Sequence, residues 1–435
     1  MMARSLAFAA VALMLGAWVS MQESSVAAAA TPAPAKGAAA RAPNATRIPA
    51  QTDGEYFARV GDCVACHTAR GGEPFAGGLE MATPFGTLYT PNITPDPETG
   101  IGRWSADDFW RALHEGKTRD GSLMYPAFPY PSYTNVTRAD SDAIYGYLMT
   151  LNPVKRRNTP HKMQFPYNQR NLLIGWRALY FEPGVFQPNP AQSAEWNRGA
   201  YLVQGLGHCD ACHTSRNMLG ATVKDKQFSG GLIPLQDWYA PSLNSNREAG
   251  LGQWDIPDVV ALLRSGVSIR GVVFGPMAQV VHDSLQYITE ADTQAMAVYL
   301  KSLAQSGAPD NPEQIRTTEV QSKAAYEAGA KIYDNNCKSC HATNGAGVPP
   351  AYPPLANNQA INMDFSVNPI RMVLFGGFPP STRGNPRPYG MPPFAYSLSD
   401  QEVAEVVTFI RQSWGNRGTA VNPADVAKYR TVPVD

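Results

Sequence analysis

Three stretches of the chain place apolar residues at helical spacing behind a polar start, and each predicts a helix. They run from Thr137 to Leu151, from Thr289 to Leu303 and from Ser399 to Trp414. In the last, Val403, Val406, Val407 and Ile410 share one face. Upstream of each, a glycine and an aromatic mark the start of another helix: Gly54-Glu-Tyr56, Gly199-Ala-Tyr201 and Gly329-Ala-Lys-Ile-Tyr333. Two copies also share an intervening block, Gly100-Ile-Gly-Arg-Trp104 through Phe109 and Gly250-Leu-Gly-Gln-Trp254 through Val259. Ser105 and Asp255 are the expected N-caps of the helix that follows it. The hydrophobic pattern is therefore an internal repeat in three copies.

Other stretches break this pattern. Arg4 precedes an apolar run from Leu6 to about Val19, then the small residues Val26-Ala-Ala-Ala-Ala30. That is the layout of a signal peptide over residues 1–30, with cleavage near Ala28 to Ala30. The run is short for a membrane span of about 20 residues, which weighs against an uncleaved anchor. No other segment reaches transmembrane length. Residues 31–50, rich in Ala, Pro and Thr, read as a flexible leader. A Pro-rich linker over 152–197 carries an apolar helical insert from Asn171 to Phe181, and a polar linker covers 304–322. The repeats then occupy 51–151, 198–303 and 323–416, each expected to have its own core, with a tail over 417–435.

Composition narrows the class. The 435 residues are 44% hydrophobic and only 17% charged, with Lys+Arg and Asp+Glu both at 36. A nucleic-acid binder would normally show a basic excess, so none is expected as a partner. Glycine and proline, 37 each, imply long loops. Small loop-rich domains need a staple, and a large covalent cofactor is one.

The six cysteines decide the chemistry. All fall in three copies of one motif: Cys63-Val-Ala-Cys66-His67, Cys209-Asp-Ala-Cys212-His213 and Cys337-Lys-Ser-Cys340-His341. Cys-x-x-Cys-His is the haem c attachment signal. Two thiols three apart on a helical turn reach the two vinyl groups of one porphyrin, and the adjacent histidine ligates the iron from the proximal side. Three covalently bound haems c are therefore expected, in an all-α fold of three tandem small cytochrome c domains. Structural disulfides do not explain the histidine that follows every pair. A thioredoxin-like motif would need one copy on a βαβ unit. Zinc would need pairs that converge, whereas these lie far apart in sequence.

A sixth iron ligand must come from the loops, and a soft methionine thioether suits an iron kept at high potential. Met391, in Gly390-Met391-Pro392-Pro393, is the candidate in repeat 3, with Met372 as its rival; no histidine follows His341. Met277 is the candidate in repeat 2, with His282 close behind it. Met124 is the candidate in repeat 1, with Met81 and Met149 as alternatives. His114, His161 and His208 are expected to be structural or solvated.

The chain resembles the triheme cytochrome c subunits of membrane-bound periplasmic dehydrogenases that act on alcohol, gluconate and fructose. The resemblance covers roughly residues 52–415. It rests on Gly61-Asp-Cys-Val-Ala-Cys-His-Thr68, Asn92-Ile-Thr-Pro-Asp-Pro97, Tyr125-Pro-Ala-Phe-Pro-Tyr-Pro131, Gly207-His-Cys-Asp-Ala-Cys-His213, Gln286-Tyr287 and Ser413-Trp-Gly-Asn416. It implies a separate catalytic subunit carrying flavin or pyrroloquinoline quinone, with electrons passed on to ubiquinone or another respiratory acceptor. It also implies an exported protein, peripherally associated with the periplasmic face of the cytoplasmic membrane. Related cytochromes serve molybdenum hydroxylases. One departure stands out: the relatives' repeat-1 methionine falls at Phe128 here, and Met124 lies four residues earlier.

Two other classes compete with an electron-transfer subunit. A haem peroxidase needs an iron with an open sixth site, which three candidate methionines oppose. A diffusible carrier would not need the apolar insert from Leu172 to Phe181, which suggests docking. The chain shows no Gly-x-Gly-x-x-Gly unit and no phosphate loop, so no substrate-oxidising cofactor site of its own is expected.

Overall fold

The glycine that opens each repeat lets two helix backbones touch. In the computed structural model, which describes residues 52–245, 250–304 and 319–431, α1 (Asp53–Val60) crosses α5 (Arg138–Leu148) at Gly54. Likewise α7 (Ala194–Gln204) crosses α11 (Glu290–Ser302) at Gly199, and α12 (Glu319–Asn336) crosses α16 (Asp400–Gln412) at Gly329. A Cβ at these glycines would stand 2.0 Å from Ala143 O, 1.9 Å from Ala295 O and 2.1 Å from Glu405 O. The same crossing thus recurs three times, which explains the glycine of the repeat. The expected signal peptide and leader, and residues 305–318 of the second expected linker, lie outside the described residues.

Each closing helix starts where its polar residue predicts. Thr137, Thr289 and Ser399 accept from the backbone N–H three residues on, and Ser399 forms a capping box with Glu402. Ser105 makes a second capping box, with Asp108, at the start of α3 (Ala106–Glu115). Asp255 holds the N-cap position of α9 (Ile256–Ser265) but makes no side-chain cap bond; the N–H three residues on, that of Asp258, bonds the Asp255 backbone carbonyl at 3.0 Å.

The remaining elements are short. Repeat 1 adds α2 (Cys63–Cys66), the hairpin β1 (Glu80–Thr83) and β2 (Gly86–Tyr89), and α4 (Tyr130–Tyr133). The Pro-rich segment contributes β3 (Lys162–Met163), which pairs with β2, and α6 (Leu172–Tyr180). Repeat 2 adds α8 (Asp210–His213), β4 (Gly231–Ile233), β5 (Trp238–Ala240), the tight pair β6 (Val267–Ser268) and β7 (Gly271–Val272), and α10 (Pro276–Asp283). Repeat 3 adds α13 (Lys338–His341), α14 (Gln359–Asn362), α15 (Val367–Phe375) and, within the expected tail, α17 (Pro423–Arg430). The fold is helix-rich, as expected, with small antiparallel hairpins that the periodicity did not announce.

The expectation of one core per repeat is corrected for the first two. A single apolar core runs from Tyr56, Val60, Ile144 and Leu148 of repeat 1 into Leu202, Leu206, Met296 and Leu300 of repeat 2. A second core, built from Ile370, Leu374, Val403, Val406, Val407 and Val426, belongs to repeat 3. The fusion is sealed by a reciprocal exchange. Tyr56 of α1 donates to Asp292 of α11 at 2.6 Å, while Tyr201 of α7 donates to Asp140 of α5 at 2.5 Å. The backbone N–H groups of Thr289 and Thr137 complete the two mirrored sets by donating to those phenol oxygens. An apolar helix pair exposed on one side gains more by burying that side against its twin than by facing water.

Repeat 3 is joined differently. Asn368 in α15 accepts from Tyr239 N at 2.9 Å and donates to Tyr239 O at 2.8 Å. The rings of Tyr239 and Phe365 stack at 4.8 Å, and the Arg371 guanidinium lies over Trp238 at 4.9 Å. The carboxyl end folds back through α17, where Arg430 bonds Asp400 at 2.6 Å.

Candidate haem-binding sites

Each Cys-x-x-Cys-His motif occupies one short turn. Cys63 and Cys66 bound α2, Cys209 is the N-cap of α8, and Cys337 is the N-cap of α13. In all three, the histidine N–H bonds the carbonyl of the first cysteine, at 3.0, 2.9 and 3.0 Å. That bond closes the turn and sets both thiols and the imidazole at helical spacing.

The histidines are held at two further points. Their own carbonyls accept from Gly77, Gly230 and Gly347, at 2.7, 2.9 and 3.0 Å. Their Nδ1 atoms lie 2.8 Å from Pro91 O, 2.6 Å from Pro241 O and 3.1 Å from Pro353 O. A carbonyl can only accept, so Nδ1 carries the proton and Nε2 keeps its lone pair for an iron. Burial lowers the pKa of all three histidines, against the smaller opposing effect of the proline carbonyls. The neutral imidazole is therefore the resident form, as ligation requires.

Sequence reasoning missed these three prolines, though a signal was present. Each stands in Pro-x-Ile/Leu: Pro91-Asn-Ile93, Pro241-Ser-Leu243 and Pro353-Pro-Leu355. The separations from the histidines, 24, 28 and 12 residues, vary too much for a fixed-spacing motif.

None of the six cysteines pairs with another in a disulfide. Burial above all pushes Cys63, Cys66 and Cys209 up to about 12 and Cys337 up to about 11. A redox-active dithiol would instead hold one thiol low, and in the first two motifs both are raised. Among the described residues, no group of three or more His, Cys, Asp and Glu gathers to hold a metal ion, as a zinc site would require. Two thiols and one lone-pair nitrogen on a turn, three times over, fit a covalently attached haem.

The candidate sixth ligands are half-buried. Met391 pairs with Gly377 through both backbone bonds and packs on the second core. Met277 lies in the first turn of α10 and packs on the fused core. Met124 donates its N–H to Gly116 O at 2.9 Å, just past the bridge between Lys117 and Leu123. Of the alternatives, Met149 packs on the fused core, Met81 sits in β1 opposite Leu88, and Met372 is in α15. His282 points outward, 54% exposed, and bonds Asp283. His114 bonds Thr134 O and stacks on Trp110, His208 bonds Leu206 O, and His161 accepts from Tyr89 N. Phe128 packs on the fused core.

The first two motifs lie side by side. Ser132 of α4 donates to Asp210, inside the second motif, at 2.9 Å. Tyr133 donates to Gly61 O, two residues before the first motif, at 2.9 Å. In the mirrored contact, α10 of repeat 2 packs on α2 of repeat 1, and Ser284 donates to Val60 O. Such closeness suits passage of electrons between two centres without a moving carrier.

The cytochrome c family model matches residues 326–414, the third repeat. The chain is 42% identical to the cytochrome c subunit of a quinone alcohol dehydrogenase from Gluconobacter oxydans, over 87% of this chain and 81% of that one. It is 42% identical to the cytochrome c subunit of gluconate 2-dehydrogenase from Pantoea cypripedii, over 87% and 88%. It is 43% identical to a nicotinate dehydrogenase subunit from Pseudomonas putida, over 82% of this chain but only 30% of that longer protein.

Proposed function

This chain belongs to the family of dehydrogenase cytochrome c subunits, and from that premise we propose that it is the electron-transfer subunit of a membrane-bound dehydrogenase. The proposal gives it three haems c, one per repeat over 51–151, 198–303 and 323–416. Cys63 and Cys66, Cys209 and Cys212, and Cys337 and Cys340 form the thioethers. His67, His213 and His341 would bind the irons through Nε2, with Met124, Met277 and Met391 as the proposed second ligands. Each haem, when bound, supplies a one-electron ferric–ferrous couple.

The chain's own residues set the conditions for that couple. The carbonyls of Pro91, Pro241 and Pro353 orient the imidazoles and raise their donor strength. The fused core holds the first two sites at fixed separation, and the Asn368–Tyr239 clamp holds the third against the second. A catalytic subunit carrying flavin or pyrroloquinoline quinone oxidises an alcohol, sugar or sugar acid. This chain hands the electrons to ubiquinone or another respiratory acceptor, as an exported protein at the periplasmic face of the cytoplasmic membrane. The recurrence of the histidine–proline carbonyl bond in all three repeats is the observation that carries the reading. The nicotinate dehydrogenase match favours a second reading, in which the partner is a dehydrogenase of that kind.

Pyridine haemochrome analysis with mass spectrometry of the matured protein is the test. Three haems c per chain are expected, with no substrate oxidation by the isolated chain and fast reduction once its dehydrogenase and substrate are added. Two haems or fewer, or turnover by the chain alone, would overturn the proposal.

A further inference from the structure

Asp62 is a buried carboxyl that neither attaches a haem nor caps a helix. It stands immediately before Cys63, in a left-handed conformation with φ 50° and ψ 35°, and its side chain makes no cap bond. The residue is 8% exposed, and among the described residues its Oδ1 has no hydrogen-bond partner. A buried carboxylate without donors is costly, whereas the neutral acid in the same place costs far less.

The other two motifs do not repeat this arrangement. His208 holds the matching position before Cys209, also at positive φ, and its Nδ1 bonds Leu206 O at 2.8 Å. Asn336, before Cys337, is exposed and donates to Ile332 O at 3.0 Å. Asp210, inside the second motif, accepts from Ser132 at 2.9 Å.

The seam between the first two repeats closes around Asp62. Tyr133 donates to Gly61 O and Ser284 to Val60 O, which fixes the backbone on its amino side. From α10, Asp283 faces it with a negative charge, and from α1, Arg59 with a weaker positive effect. Arg59 lies over the Tyr287 ring at 4.5 Å. The other titratable groups that act on it are Tyr133 of α4 and the thiols of Cys63 and Cys66, which no longer titrate as thioethers. Asp283 leads outward: His282 Nδ1 lies 2.8 Å from its carboxylate, and the His282 side chain is 54% exposed. These two residues form a chain of proton-exchanging groups between the Asp62 pocket and solvent.

We propose that Asp62 is a proton-binding site coupled to the haem on Cys63 and Cys66, so that the first repeat carries a proton together with its electron. The proposal rests on the haem attachment argued above. Reduction removes one positive charge from an iron porphyrin with neutral axial ligands, and at a buried site a carboxyl nearby responds strongly to that loss. As the electron arrives from the reduced cofactor of the catalytic subunit, Asp62 takes one proton from solvent by way of His282 and Asp283. The O–H bond at Asp62 is the bond formed, and oxidation breaks it and returns the proton. Linkage fixes the sign: the reduced form binds the proton more tightly, so electron affinity falls as pH rises through the window between the two proton affinities. The second and third repeats carry the electron alone.

The test is optical redox titration of the full matured protein across a pH series. One of the three midpoints should fall with rising pH, by up to tenfold in the ferric–ferrous equilibrium constant per pH unit within its window. Asp62→Asn, neutral and suited to the same backbone conformation, should hold that midpoint flat at the wild type's acid limit. A carboxylic-acid band in the reduced-minus-oxidised infrared difference spectrum should vanish with it. Two further variants move the window without removing it. Asp283→Asn should displace it to lower pH and Arg59→Gln to higher pH, opposite shifts that a merely structural role would not give. Midpoints independent of pH in the wild type, or a dependence that survives in Asp62→Asn, would overturn the proposal. So would windows that stay in place in both charge variants, which decide the matter if Asp62→Asn does not mature. Mass mapping of the Cys63–Cys66 peptide reads haem attachment separately: an unmodified peptide would overturn the haem assignment itself, whereas a modified peptide with flat midpoints would overturn only the proton site.

Discussion

The phenol of Tyr56 donates to Asp292 Oδ2 at 2.6 Å, across 236 residues of chain, and ties the first helix of repeat 1 to the closing helix of repeat 2. Asp292 also receives Arg198 through both of its oxygens, at 2.8 and 2.7 Å. Burial, reinforced by the Asp292 charge, pushes the Tyr56 phenol well above its ordinary range, so it remains a donor at any physiological pH. Tyr56→Phe removes one bond to a charged group while Arg198 still neutralises Asp292. A loss of about 1–3 kcal/mol is expected, read by chemical denaturation of the haem-loaded protein. Tyr201→Phe should behave alike, and a null effect in both would show that the exchange does not hold the two repeats together.

The helix crossings make a sharper prediction. At Gly54, Gly199 and Gly329 an added methyl group meets a backbone carbonyl, which cannot swing away as a side chain can. Alanine at any one of them should cost about 3 kcal/mol or more. Gly329→Ala should spare the spectrum of the fused first two repeats, because its core is separate. Gly146, with nothing within 4 Å, is the control and should tolerate alanine.

Ligation in repeat 1 is tested by Met124→Ala. Losing a thioether should lower the midpoint potential of one haem and remove its share of the iron–methionine charge-transfer absorbance. The third haem should be unaffected, while the second, which shares a core with the first, is free to shift slightly. Met149→Leu, a volume-conserving change at the edge of the core, should cost under about 1.5 kcal/mol and leave the potentials alone. The opposite pattern would assign Met149.

Asp62 provides a pH dependence. It precedes the first motif in a left-handed conformation, buried, with Oδ1 lacking a hydrogen bond. Burial first, then the charge of Asp283, raises its pKa well above the ordinary carboxylate value, against a smaller lowering by Arg59. Above about pH 4 the unfolded chain has released this proton while the folded one retains it, so folding stability falls as pH rises through that window. Asn suits the same backbone conformation. Asp62→Asn should therefore gain stability relative to wild type with rising pH, and parallel denaturation curves at pH 4 and 7 would contradict this.

The Asn368 clamp yields a kinetic readout. Asn368→Ala removes both bonds to the Tyr239 backbone, close in sequence to the His213–Pro241 contact. Slower equilibration between the second and third haems is expected, with unchanged potentials, in flash-reduction experiments. Altered potentials with an unchanged rate would place Asn368 in the environment of a haem instead.

What the sequence determined by itself was local. The cysteine–histidine turns need only helical spacing, and the caps at Thr137, Thr289 and Ser399 need only a side chain three residues from an N–H. Asp255 met the same rule and took the N-cap position, yet its side chain makes no cap bond, and the Asp258 N–H bonds its backbone carbonyl instead. The repeat glycines were legible as a pattern, but their reason, a carbonyl on another helix, was not. Only the tertiary structure decided which apolar faces met. A stripe of valines and leucines states that it must be buried and not against what, so the fusion of repeats 1 and 2 could not be read from it. The insert at α6 shows the same limit in reverse. Its composition resembles a core helix, yet its outer face stayed exposed because Arg170, Trp176 and Arg177 anchored it through backbone carbonyls distant in sequence.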